Sequence, residues 1–107
     1  MDTLFVVAGS VIAITVVLVS LAIVEQIAQD TMPDTLHAAL IRPDPQRGEQ
    51  IVLFSQNADM TRDALLQAAR TAGVSELAVP KKLINIKFIP VLGTGKIDYV
   101  TLQAENP

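Results

Sequence analysis

The sequence predicts an α/β (α+β) domain, a small three-stranded sheet flanked by helices, preceded by an apolar N-terminal segment that is a candidate transmembrane helix. Three observations carry this reading. Residues 4–24 form a run of 21 uncharged positions. Beyond it, short apolar runs rich in β-branched residues flank a segment with helical periodicity. Clusters of Pro, Gly, Asp and Asn separate those runs. The division is residues 1–19 as the apolar segment, with a span reaching about residue 24, and residues 20–107 as the folded domain.

As a helix, the uncharged run would be roughly 32 Å long, about one hydrocarbon core. Asp2 and Glu25 bracket it. Two other readings fit the same residues. About half of the run is Val, Ile or Thr, which suits a pair of buried strands leading into a helix. Ser20-Leu21-Ala22 resembles a signal-peptidase site, although Asp2 stands where a basic region belongs.

Ser20 is placed as the cap of a helix whose inner face carries Leu21, Val24, Ile27 and Ala28. Pro33, within residues 30–34, ends it. Residues 36–41 read as a strand, followed by a polar turn, Arg42-Pro43-Asp44-Pro45-Gln46-Arg47-Gly48, with two prolines. Residues 49–55 read as a second strand. Its core, Ile51-Val52-Leu53-Phe54, is continuously apolar, as expected of a strand covered on both faces.

Residues 61–72 give the clearest helical pattern. Thr61 serves as N-cap, Asp63 suits the positive end of the dipole and Gly73 provides the stop. Leu65, Ala68, Ala69 and Ala72 line the inner face, leaving Arg62, Gln67 and Arg70 to solvent. Residues 83–89 read as a third strand, with Ile84, Ile86 and Phe88 on one face, opposite Asn85 and Lys87. Asp98 opens a short last helix running through Ala104.

Composition removes several function classes. Eight basic and eleven acidic residues give a net charge of −3. Phe5, Phe54, Phe88 and Tyr99 do not cluster with Lys or Arg, so nucleic acid is not an expected partner. With no cysteine and His37 as the single histidine, disulfides, thiolate chemistry and a structural zinc site are excluded, and no metal ligands are assigned. Arg42 and Arg47 are the nearest positive charges to the apolar run and point to a cytoplasmic C-terminal side.

The chemistry-bearing stretch is Gly93-Thr94-Gly95-Lys96, after a predicted strand and before a predicted helix. Its glycines allow a tight turn and close approach to a ligand. Lys96 offers a flexible cation for phosphate or carboxylate oxygens whose negative charge rises during reaction. A Walker-type loop is excluded because Ile97 follows the lysine and Pro90 occupies the place of the first glycine. Taken alone, these four residues fit an ordinary loop with a solvated lysine better than a site.

The surrounding residues add a family pattern. Gly48-Glu49-Gln50-Ile51-Val52-Leu53-Phe54, Thr61-Arg62-Asp63-Ala64-Leu65-Leu66, Leu77-Ala78-Val79-Pro80-Lys81 and residues 90–99 occur in the order seen in adenylate-forming enzymes. Val19-Ser20-Leu21, Val24-Glu25 and Leu36-His37-Ala38-Ala39 extend the likeness, which covers residues 19–103. The chain resembles the C-terminal lid of adenylate-forming acyl ligases, in particular of the bacterial bifunctional acyl-[acyl-carrier-protein] synthetase and 2-acylglycerophosphoethanolamine acyltransferase.

That resemblance implies a mobile lid closing over an acyl-adenylate site built by a much larger N-terminal domain. Lys96 would be the adenylation lysine, with Gly93, Thr94 and Gly95 shaping its substrate loop. His37 would be structural, and Asp98 and Tyr99 would anchor the last helix. ATP and Mg belong to the complete family enzyme, and this chain alone is expected to bind neither. The implied partners are an adenylating N-terminal domain, in another chain or a longer parent, and acyl carrier protein, within fatty acid and phospholipid metabolism.

Upstream, the family's charged hinge and Gly-Gly-Glu-like turn are replaced by Thr15, Val16 and Val17. The residues that serve hinge rotation and the thioester-forming half-reaction are thus absent. Because 107 residues cannot also supply an ATP pocket, an acyl tunnel and a magnesium site, the chain is not expected to act as a ligase alone. The apolar segment implies the bacterial inner membrane, with the domain on its cytoplasmic side, or self-association through that segment; a cytoplasmic location is the alternative. The alternative function is a non-enzymatic membrane-tethered binding or scaffold module retaining the lid fold.

Overall fold

Val52, Leu53 and Phe54 are consecutive and each is fully buried, which a strand achieves only when both faces of its sheet are covered. The computed structural model, which describes residues 20–46 and 48–106, shows how this happens. A helix through residues 20–31 (α1) leads into β1 (His37–Asp44) and β2 (Gly48–Ser55). Then come α2 (Arg62–Ala72), a 3₁₀ turn (Glu76–Ala78), β3 (Lys82–Asn85) and α3 (Tyr99–Glu105). The sheet order is β1-β2-β3, with β1 antiparallel and β3 parallel to β2.

Strand alternation divides the core in two. On one face Ala39 and Leu53 meet Val24, Ile27 and Ala28 of α1, Leu65 and Ala69 of α2, and Met60 and Val79. On the other, Ala38, Val52 and Phe54 meet Ile89 and Leu102 of α3, with Ile84, Ile86 and Ile97 packed alongside. The result is three layers, α1 and α2 over the sheet over α3. This is the predicted fold class: a three-stranded α/β unit with flanking helices.

Local chemistry sets the element ends. Thr61, in extended backbone, accepts from the Ala64 N–H, and Gly73 closes α2 at φ 73°, donating to Ala69 and Arg70 carbonyls. Asp98 caps α3 through the Thr101 N–H, as its position before the last helical run predicts.

Four sequence expectations need correction. Ser20 is already helical, so it lies within α1 rather than capping it. β1 does not stop at Ile41; the predicted proline turn is strand as far as Asp44. The reason is register. Ala39 donates its N–H to Glu25 rather than to β2, so Pro43, four residues on, also turns its nitrogen away from the sheet, where no donor is needed. Ala72 is exposed at the end of α2.

β3 ends at Asn85, the partner of the last β2 residue, so the alternation expected as far as Ile89 fails. Phe88 is 71% exposed, and Ile89 takes the buried position. The Ile89 N–H donates to Gln56 Oε1 at 2.6 Å and sets that new direction.

Residues 1–19 lie outside the described residues, and with them most of the uncharged run and the substituted hinge at Thr15, Val16 and Val17. The last positions of that run, 20–24, belong to α1, and Val24 is buried in the first core cluster. Among the described residues no helix is long and apolar enough to cross a membrane.

Candidate functional site

Gly93-Thr94-Gly95-Lys96 forms the tip of a short hairpin over residues 90–98. The Gly95 N–H donates to the Leu92 carbonyl at 2.9 Å, and the Leu92 N–H donates to the Lys96 carbonyl at 2.7 Å. Val91 and Ile97 bridge the two arms, and the Asp98 N–H closes the base on the Pro90 carbonyl at 2.9 Å. With Gly95 at φ 89°, this is a tight turn followed by a left-handed bulge residue. Gly95 is the glycine the turn requires. Gly93 has no such backbone conformation, and a Cβ there would meet nothing.

The hairpin is rooted in the second core cluster. Ile89 and Pro90 are buried beneath the first arm, and Ile97 packs partly buried beneath the second. Gly93, Thr94, Gly95 and Lys96 are all exposed. Among the described residues, the Lys96 ammonium has neither a hydrogen-bond nor an ion-pair partner, so it is free to meet an external anion. On and beside the hairpin, Phe88, Val91, Leu92 and Val100 are exposed. The hairpin and the residues flanking it in sequence thus expose both a cation and several apolar side chains.

The second arm is held from two directions. Asp98 Oδ1 accepts the Thr101 N–H at 3.1 Å, and Asp98 Oδ2 accepts the Thr101 hydroxyl at 2.7 Å. These bonds, the side-chain one foremost, hold the Asp98 carboxyl below its usual pKa. The Tyr99 hydroxyl donates to Glu25 Oε2 at 2.6 Å, and the same oxygen accepts the Ala39 N–H at 2.9 Å. Burial first, then the bond to Glu25 and its charge, push the Tyr99 hydroxyl well above its ordinary pKa.

His37 is fixed elsewhere, at the start of β1. Its Nε2 lies 2.8 Å from the Met32 carbonyl, which can only accept, so Nε2 carries the proton. Nδ1 then accepts from the Ser55 hydroxyl at 2.9 Å, and Ser55 Oγ accepts the Asn57 N–H. Both ring nitrogens are used in tying α1's end to β1 and β2, a structural role. Arg42 is a feature that the proline-turn reading concealed. Its guanidinium carbon lies 5.2 Å from the Phe54 ring centroid, and its buried Nε and Nη2 have no hydrogen-bond partner among the described residues.

The residues that anchor the hairpin were not identified as such from sequence. Gln56, Pro90 and Glu25 act through pairings 33, 8 and 74 residues apart, beyond any local signal. The apolar rim had a signal, Val91-Leu92 immediately before a glycine turn.

Among the described residues, no three His, Cys, Asp or Glu side chains converge as a metal site.

Comparison with solved structures gives this arrangement a class. The chain is similar to part of amide bond synthetase McbA from Marinactinospora thermotolerans, at 28% identity and a TM-score of 0.59, covering 78% of this chain and 17% of that one. It is similar to an acyl-CoA synthetase (AMP-forming)/AMP-acid ligase II-like protein from Dyadobacter fermentans, at 25% identity and a TM-score of 0.53, covering 76% and 26%. The fold also matches a Mycobacterium tuberculosis fatty acyl CoA synthetase, at 24% identity and a TM-score of 0.62, covering 78% and 17%. No family model matches the chain.

These neighbours are adenylate-forming ligases, and the chain spans between a sixth and about a quarter of their length. In fold it is similar to a part of such a ligase.

Proposed function

We propose that this chain is the lid of an adenylate-forming acyl ligase and delivers Lys96 to a site on a much larger adenylating domain, in another chain or a longer parent. The observation that carries the reading is the hairpin itself. It is rooted in a buried core, exposes a lysine that has no partner among the described residues, and carries exposed apolar residues in the same stretch of chain.

Adenylation joins a carboxylate to the α-phosphate of ATP as pyrophosphate leaves, and negative charge builds on the phosphoryl oxygens. ATP and its magnesium would be held by the larger domain and supply the activated phosphate. Lys96 would lower the barrier by meeting the rising charge from a preorganised position. Gly95 permits the turn that presents it, and Gly93 leaves open space in which a ligand can approach the backbone. The apolar rim would exclude water once the lid is seated.

The substrate class we assign is a fatty acyl group, with acyl carrier protein and a lysophospholipid as acceptors. This rests on the motif order through residues 19–103, which most closely follows the bifunctional acyl-[acyl-carrier-protein] synthetase and acyltransferase pattern. Residues 1–19 would then tether the lid at the cytoplasmic face of the inner membrane, with residues 20–107 as the working domain.

The test is to mix the chain with a lid-deleted synthetase of that type and follow acyl-adenylate formation. Formation with fatty acid that depends on added chain supports the proposal. No gain at saturating chain overturns it.

A further inference from the structure

We propose that Glu25 is a positioning residue for the Lys96 hairpin, acting through Tyr99. The functional consequence rests on the lid reading above, whereas the mechanical claim stands on this chain alone.

The hairpin has two arms, each tied by a different device. The first is held by the buried Ile89 and Pro90 and by the bond from the Ile89 N–H to Gln56. The second leaves Lys96 and reaches Asp98 and Tyr99 within three residues. Asp98 ties it to Pro90 and to α3, whose Leu102 is buried on the α3 face of the sheet, so these ties reach that face alone. The connection from this end to α1, on the opposite side of the sheet edge, is the hydroxyl of Tyr99 on Glu25.

Glu25 suits the task because its carboxylate is itself held. Oε2 accepts the outward-facing Ala39 N–H of the edge strand, so α1, β1 and α3 meet on one oxygen. Beside them opens a groove of about 410 Å³ lined by Leu21, Ala22, Leu40 and Ile41, in which Glu25 is the one charged lining side chain among the described residues. Among the described lining residues no cation competes for the carboxylate. A charge-assisted O–H···O⁻ bond at 2.6 Å is of the strong kind. The displaced titration of Tyr99 agrees with the geometry.

Breaking the bond without disturbing Ala39 requires only Tyr99→Phe, which keeps the ring. The effect should be local. Exchange of the Leu92, Gly95 and Asp98 amide protons, all bonded within the hairpin, should accelerate about three- to tenfold on loss of one such bond. The Val52 and Phe54 amides, which face β1 in the sheet register, should keep their rates.

A spectroscopic control is available because Tyr99 is the single tyrosine and the chain has no tryptophan. Tyrosinate absorbance therefore reports this hydroxyl alone. It should appear at higher pH than for free tyrosine, and Glu25→Gln should move it back toward the ordinary range.

Unchanged hairpin exchange in Tyr99→Phe overturns the proposal, as does equal acceleration at Val52 and Phe54, which would make the contact one of general stability. These readings need no ligase. If Lys96 proves dispensable in the reconstituted reaction while the hairpin loosens as expected, the lid reading falls and the positioning contact stands.

Discussion

Asp98 and Tyr99 sit side by side and respond to opposite ends of the pH scale. Asp98 has its pKa lowered by the bonds from Thr101, so its capping contribution is present above the ordinary carboxylate range. It is lost as pH falls through the lowered value. Tyr99 has its pKa raised, so its contribution is complete below the ordinary tyrosine value of about 10 and fades as pH rises above it. We therefore expect the Thr101 amide resonance to lose its capped shift only well into the acid range. The Tyr99–Glu25 tether should persist at neutral pH and weaken in strong alkali, which near-ultraviolet absorbance and amide shifts followed together will record. A Tyr99 titration at the free value would contradict this account.

At the scale of elements, the two glycines of the hairpin part company. Gly95 occupies a left-handed conformation that costs an L-residue about 1–2 kcal/mol, whereas Gly93 does not and has open space around it. Gly95→Ala should loosen the hairpin, seen as faster exchange at Leu92, with global stability nearly kept. Gly93→Ala should leave the isolated fold unchanged and be felt only when a partner or nucleotide approaches.

The same comparison shows what sequence alone can reveal. Thr61, Asp63 and Gly73 bracket α2 correctly because caps are local chemistry, and the start of the last helix at Asp98 was visible in the same local way. The two-faced burial of β2 was legible in an unbroken apolar run. Pro43 misled because proline usually marks a turn, and only the register of β1 reveals that its nitrogen faces outward. Phe88 misled because alternation continues only as long as a partner strand does, and β2 ends at Ser55. Which glycine of Gly93-Thr94-Gly95 carries the bend depends on the hairpin's pairing, which the motif does not encode.

For the whole molecule, stability and chemistry are separable because they occupy different layers. Leu53 is fully buried between α1 and α2, and Leu53→Ala should cost about 2–5 kcal/mol, measurable as a lower midpoint in urea. Leu77 is 96% exposed, and Leu77→Ala should stay within about 0.5 kcal/mol of wild type. Lys96 belongs with Leu77 in this respect: exposed and without a partner among the described residues, it should be replaceable without a change in unfolding. The solved ligases that share this fold are about four to six times longer than the matched part; on the proposed lid reading, the energetic worth of Lys96 is expected only in a larger assembly.

The most direct test is the single-turnover rate of acyl-adenylate formation by a lid-deleted synthetase supplied with saturating wild-type chain or its Lys96→Ala variant, each checked for equal urea midpoints. Loss of one preorganised charge-stabilising group should slow adenylation by about 10²–10³-fold. Equal rates with the two chains would contradict the assignment of Lys96 and, with it, the lid account.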